Sequence, residues 1–96
     1  MSSFEDHCLE SLAHFGNAYP DVHRWLDEYA GCPPHGMRHR RLRHHTAGIV
    51  ETIRRFGPQA GLAARQHILT DLKQEGWTEA DPFPRDEAHY VVMGLF

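Results

Sequence analysis

No apolar run in the sequence approaches the roughly 18 consecutive residues of a membrane-spanning helix, so neither a span nor a membrane partner is expected. Cysteine is scarce, with Cys8 and Cys32 the only two. They could pair in principle, but two thiols without an export signal read as reduced. The opening residues Met1-Ser2-Ser3-Phe4-Glu5-Asp6-His7 are acidic where a secretory leader is basic and then apolar, which points to the cytoplasm. The common nucleophile and phosphate motifs are missing too: there is no GxSxG elbow, no glycine-rich phosphate loop and no HExxH zinc helix. Each absence removes a familiar class of enzyme, and none of them names a substrate.

What the chain has in excess is histidine. Nine occur in 96 residues, more than core packing requires, and imidazole is both the commonest transition-metal ligand and the side chain that titrates nearest neutral pH. Three of the nine share the stretch Arg38-His39-Arg40-Arg41-Leu42-Arg43-His44-His45 with four arginines. At this length one domain spanning 1–96 is expected, burying roughly 60 to 65% of its unfolded surface, which leaves a modest core and little room for a large cofactor. The 41% hydrophobic and 24% charged fractions are those of a folded, water-soluble domain and not of a disordered chain.

The net charge of −3 conceals an asymmetry. Residues 38–65 carry seven arginines against Glu51, whereas the segments on either side are acidic. A basic central helix neutralised by its acidic neighbours is the simplest use of this pattern. A nucleic-acid surface is the alternative, and the acidic flanks count against it.

Apolar spacing predicts an all-α fold, a compact bundle of four to five helices. Phe4, Cys8, Leu12 and Phe15 recur at three- and four-residue intervals after a capping Ser3 and before Gly16, which marks a helix over 3–15. Pro20 and Asp21 open a short second helix with Val22, Trp25, Leu26 and Tyr29 inward, ended by Gly31-Cys32-Pro33-Pro34. A long central helix is expected from Pro34 to Gly57, with Leu42, Ile49, Ile53 and Phe56 as its stripe, and a fourth over 59–74 with Leu62, Ile68, Leu69 and Leu72. Residues 85–95 read as a fifth helix, although Tyr90-Val91-Val92 suits a strand equally well.

Placed on a wheel at about 100° per residue, the central stripe leaves His45 and His39 roughly 60° to either side of it, His35 near its centre, and His44 on the solvent face. His45 is therefore the first candidate for a ligand. The pattern HxxxD occurs twice, as His23/Asp27 and His67/Asp71. One helical turn apart, an imidazole and a carboxylate can share a cation or bond each other. Both pairs flank their apolar faces, and surface pairs are the competing explanation. Cys32, His35 and His39 also have zinc-compatible spacing, with His7 or His23 as a conceivable fourth ligand. Arg38 and Arg41 project near the buried side, where Arg38 would pair with Asp27, Asp71 or an anionic ligand group. Arg40, Arg43 and Arg54 fall on the outer face.

The order His23-x-Trp25-x-Asp27-Glu28, then Arg38-His39-Arg40-x-Leu42-Arg43-His44-His45-x-x-Gly48-Ile49, then Gln66-His67-Ile68-x-x-Asp71-Leu72 resembles the DUF6915-like family of short bacterial and phage-associated proteins of unknown function, over residues 7–72. The resemblance implies a compact helical protein in which these polar positions act together, and it carries no activity. The Cys32-Pro33-Pro34 turn and a shorter join between Phe56 and Gln66 depart from the family pattern.

The leading expectation is a divalent-metal site formed by His23, Asp27, His45, His67 and Asp71, with Arg38 and His39 behind it or holding an anion. Mixed nitrogen and oxygen ligands favour zinc first, then iron, manganese or nickel. If the protein is an enzyme, metal-dependent hydrolysis of a small phosphorylated or amide substrate follows, although binding ranks ahead of catalysis. The metal phosphohydrolases with helical His and Asp ligands use an adjacent His-Asp dipeptide, which is missing here. The rival reading is a phage-derived or accessory interaction module, a homo-oligomer or a binder of a protein, nucleotide or nucleic acid through the Arg-rich helix.

Overall fold

The structure, a computed structural model, describes residues 3–30, 32 and 38–95. These form six helices and no strand: α1 (Phe4–Phe15), α2 (Pro20–Leu26), α3 (Arg40–Arg43), α4 (Thr46–Phe56), α5 (Ala60–Gln74) and α6 (Glu87–Val92). Local chemistry fixes most of their ends. Ser3 Oγ accepts from the Asp6 amide at 3.1 Å while Asp6 returns a bond to the Ser3 amide at 3.0 Å, a reciprocal cap that supplies the orphan donors of the first turn of α1. Gly16 stops that helix at φ 73°, a left-handed conformation that glycine adopts without strain. Pro20 begins α2, where its missing N–H is no loss. Asp86 caps α6 by accepting from the His89 amide at 2.8 Å, so Tyr90-Val91-Val92 is helix and not strand.

The central helix expected from the sequence is interrupted. α3 ends at His44 (φ −86°, ψ 61°), and His45 is fully extended (φ −162°, ψ 177°) before α4 begins. Residues 34–37, where that helix was expected to start, lie outside the described residues. The break is held from both sides. His45 Nδ1 accepts from the Gly48 amide at 3.1 Å, and the Thr46 and Ala47 amides donate to the carbonyls of Pro84 and Arg85 at 3.0 and 2.9 Å. The first turn of α4 thus has all its donors satisfied. The chain folds back so tightly that a Cβ on Gly48 would overlap the Arg43 carbonyl. This interruption rotates the phase of everything before it, which overturns the expectation for His44: the side chain is entirely buried.

α5 is the axis of the fold and is buried on two sides. Ala60, Ala64, Ile68 and Leu72 join Val22, Leu26, Trp77 and Tyr90 in the apolar core. Small residues at its start let α4 come close, with Ile53 occupying the space that a Cβ on Gly61 would take. The other buried side of α5 carries His67 and Asp71. The expected apolar stripe of α1 points the wrong way, and that of α5 is inward except at its first member. α1 buries His7 and Ser11 while Leu12 is 51% exposed, and Leu62 of α5 is 58% exposed. A polar interior, described next, draws the His7 and Ser11 face of α1 inward. Among the described residues no helix is long and apolar enough to cross a membrane.

Candidate metal centre

Four helices deliver imidazoles and carboxylates to one buried cluster. His67 and Asp71 lie one turn apart on α5, so both face the same way, and His67 Nε2 is 3.2 Å from Asp71 Oδ2. α2 contributes His23 and, at its C-terminal cap, Asp27, whose Oδ2 is 3.3 Å from the same His67 nitrogen. α1 contributes His7, with Nε2 3.4 Å from Asp71 Oδ1. At either end of α3, His39 Nε2–H donates to Asp27 Oδ1 at 3.1 Å and His44 Nε2–H donates to Asp71 Oδ2 at 3.0 Å. One ligand atom each from His7, Asp27, His67 and Asp71 fall within 4.8 Å of one another, as do one each from His7, His23 and His67.

A second layer anchors the carboxylates. The Arg40 guanidinium lies 3.6 Å from Asp71 and 2.9 Å from Glu75, and Tyr90 Oη donates to Glu75 at 3.1 Å. Arg43 lies over the Trp25 ring at 4.2 Å, donates to the Trp25 carbonyl at 2.6 Å and reaches Glu28 at 2.8 Å, which ties α3 to α2.

Burial and charge sort the ionisation of the group. Burial alone raises a carboxyl pKa, yet hydrogen bonds from His39 and His67 hold Asp27 well below the usual carboxylate range. The His44 bond and the close His67 and His7 rings do the same for Asp71. Both are charged. Burial pushes His44 down to about 4 despite its bond to Asp71, and burial with the neighbouring His67 and His7 pushes His23 down to about 4. His67 goes the other way, because its bonds to Asp27 and Asp71 outweigh burial and raise it. The ring between the two carboxylates is thus the place that most favours positive charge.

Of the residues singled out in the sequence, His23, Asp27, His67 and Asp71 come together, and His39 bonds Asp27 beside them. His45 does not join them. Its Nδ1 caps α4 and its Nε2–H donates to the Arg41 carbonyl at 3.0 Å, so both nitrogens serve the backbone. Arg38 is exposed, lining a shallow surface cleft with Arg41, Val91, Gly94 and Leu95, and the guanidinium beside Asp71 is that of Arg40, expected on the outer face. His35 lies outside the described residues; Cys32 is exposed, and both cysteines are free thiols. Sequence reasoning missed His44 as a member of the cluster, and named His7 only as a conceivable fourth ligand to Cys32, His35 and His39. A signal for placing His7 inward existed: His7 and Ser11 stand four residues apart, a polar pair on one side of α1.

Several buried ligand atoms lie close to one another without an aligned hydrogen bond: His67 Nε2 is 3.2 and 3.3 Å from Asp71 and Asp27, and His7 Nε2 is 3.4 Å from Asp71. Both nitrogens of His7, His67 Nε2 and Asp71 Oδ1 are buried without a well-aligned hydrogen bond, whereas buried polar atoms are nearly always satisfied. A divalent cation takes such lone pairs, and two carboxylates with neutral imidazoles are a donor set that suits one.

The fold and the cluster together define an all-α, histidine-rich domain with a buried His–Asp centre. The chain belongs to the family described as Domain of unknown function (DUF6915), whose model matches residues 1–81. No curated protein and no solved structure matches it.

Proposed function

We propose that the protein binds one divalent cation through His7, Asp27, His67 and Asp71, with His39, His44 and Arg40 orienting the carboxylates. The observation that carries this reading is the convergence of four ligand atoms from three elements within 4.8 Å, several of them buried without an aligned hydrogen bond. Zinc is the first candidate, with manganese, iron and nickel behind it. Asp27, 29% exposed at its side chain, is the open edge of the four, and water or a small anionic ligand would reach the ion there. An ion in this setting supplies Lewis acidity and an activated water, so hydrolysis of a small phosphorylated or amide substrate is the activity to look for. The arginines support this reading over nucleic-acid binding, since Arg40, Arg43, Arg54 and Arg55 all pair with carboxylates of the same chain.

The test is elemental analysis of protein purified without a His tag, followed by calorimetric titration of zinc and manganese. One equivalent of tightly bound metal, lost in Asp71→Asn, is expected. Protein that carries no metal and takes up none would overturn the proposal.

A further inference from the structure

His23 sits beside the proposed ligands, yet both of its ring nitrogens are already engaged. Nε2 lies 2.7 Å from Ser11 Oγ, and Nδ1 lies 2.9 Å from His67 Nδ1. Two imidazole nitrogens at that separation share a single proton, because two N–H groups or two lone pairs would face each other unfavourably. The opposite nitrogen of His67 faces Asp27 and Asp71. A continuous chain therefore runs from Ser11 through His23 and His67 to the carboxylates. Ser11, His23 and His67 are each at most 1% exposed, so bulk water does not compete for its bonds.

Such a chain can point in either direction. Its end group decides whether both are allowed, and a hydroxyl both donates and accepts. We propose that Ser11 and His23 are positioning residues that set the tautomer of His67, and that arrival of a divalent ion reverses the direction of the chain. The reversal rests on the metal-binding reading above. Without an ion, neutral His67 holds its proton on Nε2 and donates it to the carboxylates. Its Nδ1 then accepts from His23 Nδ1–H, and the Ser11 hydroxyl donates to His23 Nε2. With an ion on His67 Nε2, that nitrogen is bare and the proton sits on Nδ1, which donates to His23 Nδ1. His23 Nε2–H then donates to Ser11 Oγ. Above the pH at which His67 loses its charge, each ring carries one proton before and after, so the exchange there neither consumes nor releases one.

A metal-bound histidine usually donates its free N–H to a carboxylate or carbonyl, and such outer partners govern affinity by about ten- to a hundredfold. Here the outer partner is a second histidine, buried and held at its far nitrogen by Ser11. The ligand therefore stays a neutral imidazole with its lone pair aimed between Asp27 and Asp71.

The experiment uses zinc as the probe and histidine side-chain nitrogen NMR as the readout, well above neutral pH, where the imidazoles are uncharged. In the wild type, His67 is expected as the Nε2–H tautomer without zinc and Nδ1–H with it, while His23 changes from Nδ1–H to Nε2–H. His23→Asn, which keeps an amide at the Nδ1 position, should bind zinc within about threefold of wild type, whereas His23→Leu should bind it about ten- to a hundredfold more weakly. Ser11→Ala should weaken zinc about tenfold and blur the His23 tautomer. His23→Asn as weak as His23→Leu would make His23 a ligand and overturn the proposal, as would unchanged tautomers in zinc-bound wild type. Wild-type protein that binds no zinc would instead overturn the metal-binding reading, and the reversal with it.

Discussion

The ring of His7 on α1 lies flat against that of His67 on α5, with centroids 3.6 Å apart and planes within 14°. The stack brings two nitrogen-bearing rings to the edge of two charged carboxylates, and neither nitrogen of His7 makes an aligned hydrogen bond, although Nε2 lies 3.4 Å from Asp71. In the metal-free fold His7 therefore contributes packing while its polar atoms are a penalty. Replacing a buried unsatisfied group by an apolar one of similar size is often neutral or stabilising. His7→Leu is expected to leave metal-free stability within about 1 kcal/mol of wild type and to weaken zinc at least about tenfold. Urea unfolding in chelator, paired with zinc titration, measures both. A loss well above about 2 kcal/mol in chelator would make the stack structural.

Neighbouring histidines should behave differently. His44 is fully buried and bonded to Asp71, whereas His45 is a helix cap. His44→Ala opens a cavity and strips a donor from a buried carboxylate, for an expected loss of about 2–4 kcal/mol. His45→Ala removes an N-cap, worth about 1 kcal/mol, and leaves the ligand atoms in place. Denaturant unfolding and zinc affinity of the two variants, side by side, check this. Equal effects on zinc affinity would contradict the placement of His45 outside the centre.

Gly48 tests the interruption between α3 and α4. A methyl group there meets the Arg43 backbone carbonyl, which no side-chain rotation relieves. Gly48→Ala should destabilise by about 2–4 kcal/mol or prevent folding, despite the better helix propensity of alanine. Thermal melts decide it, and a variant as stable as wild type would mean that the chain does not fold back here.

The pH dependence has a defined sign. A group whose folded pKa is depressed stabilises above its unfolded value and ceases to do so as pH falls. His23 and His44, near 4 in the fold against an ordinary 6.5, withdraw stability across that interval. Burial lowers His45 and acts in the same sense. His67 opposes them: burial lowers it, but its bonds to Asp27 and Asp71 raise it overall, so its contribution is full below 6.5 and lost as pH rises through the folded value. The depressed groups outnumber it, and the Tm of chelator-treated protein should fall from pH 6.5 toward 4. Asp27 and Asp71 add to the loss only below their ordinary 3.8. Zinc should raise Tm at neutral pH, and this increment should vanish on acidification as protons take the same lone pairs. Metal-free protein that gains stability toward pH 4 would contradict the assignment of His23 and His44 as neutral.

Helix ends and residue pairs were legible in the sequence because their causes are local. Ser3, Gly16, Pro20 and Gly57 act within a turn of where they stand, and HxxxD places an imidazole and a carboxylate on one side by helical geometry alone. That much set the all-α fold and named four residues of the centre, His23, Asp27, His67 and Asp71. The interruption at His44 and His45 was not legible, since the amides that begin α4 find their acceptors at Pro84 and Arg85, far along the chain. A wheel drawn through that break put His44 in solvent, although it is buried against Asp71, and made His45 the first ligand, although that ring, buried too, spends its nitrogens on the backbone. The apolar stripe of α1 misled for a related reason: burial follows the strongest demand of the assembled interior, and here two carboxylates require hydrogen-bonding and cationic neighbours more than α1 requires cover for Leu12. Sequence supplied the residues and their spacing along each helix; which helix faces meet, and therefore which histidines share one centre, was decided only when the helices packed.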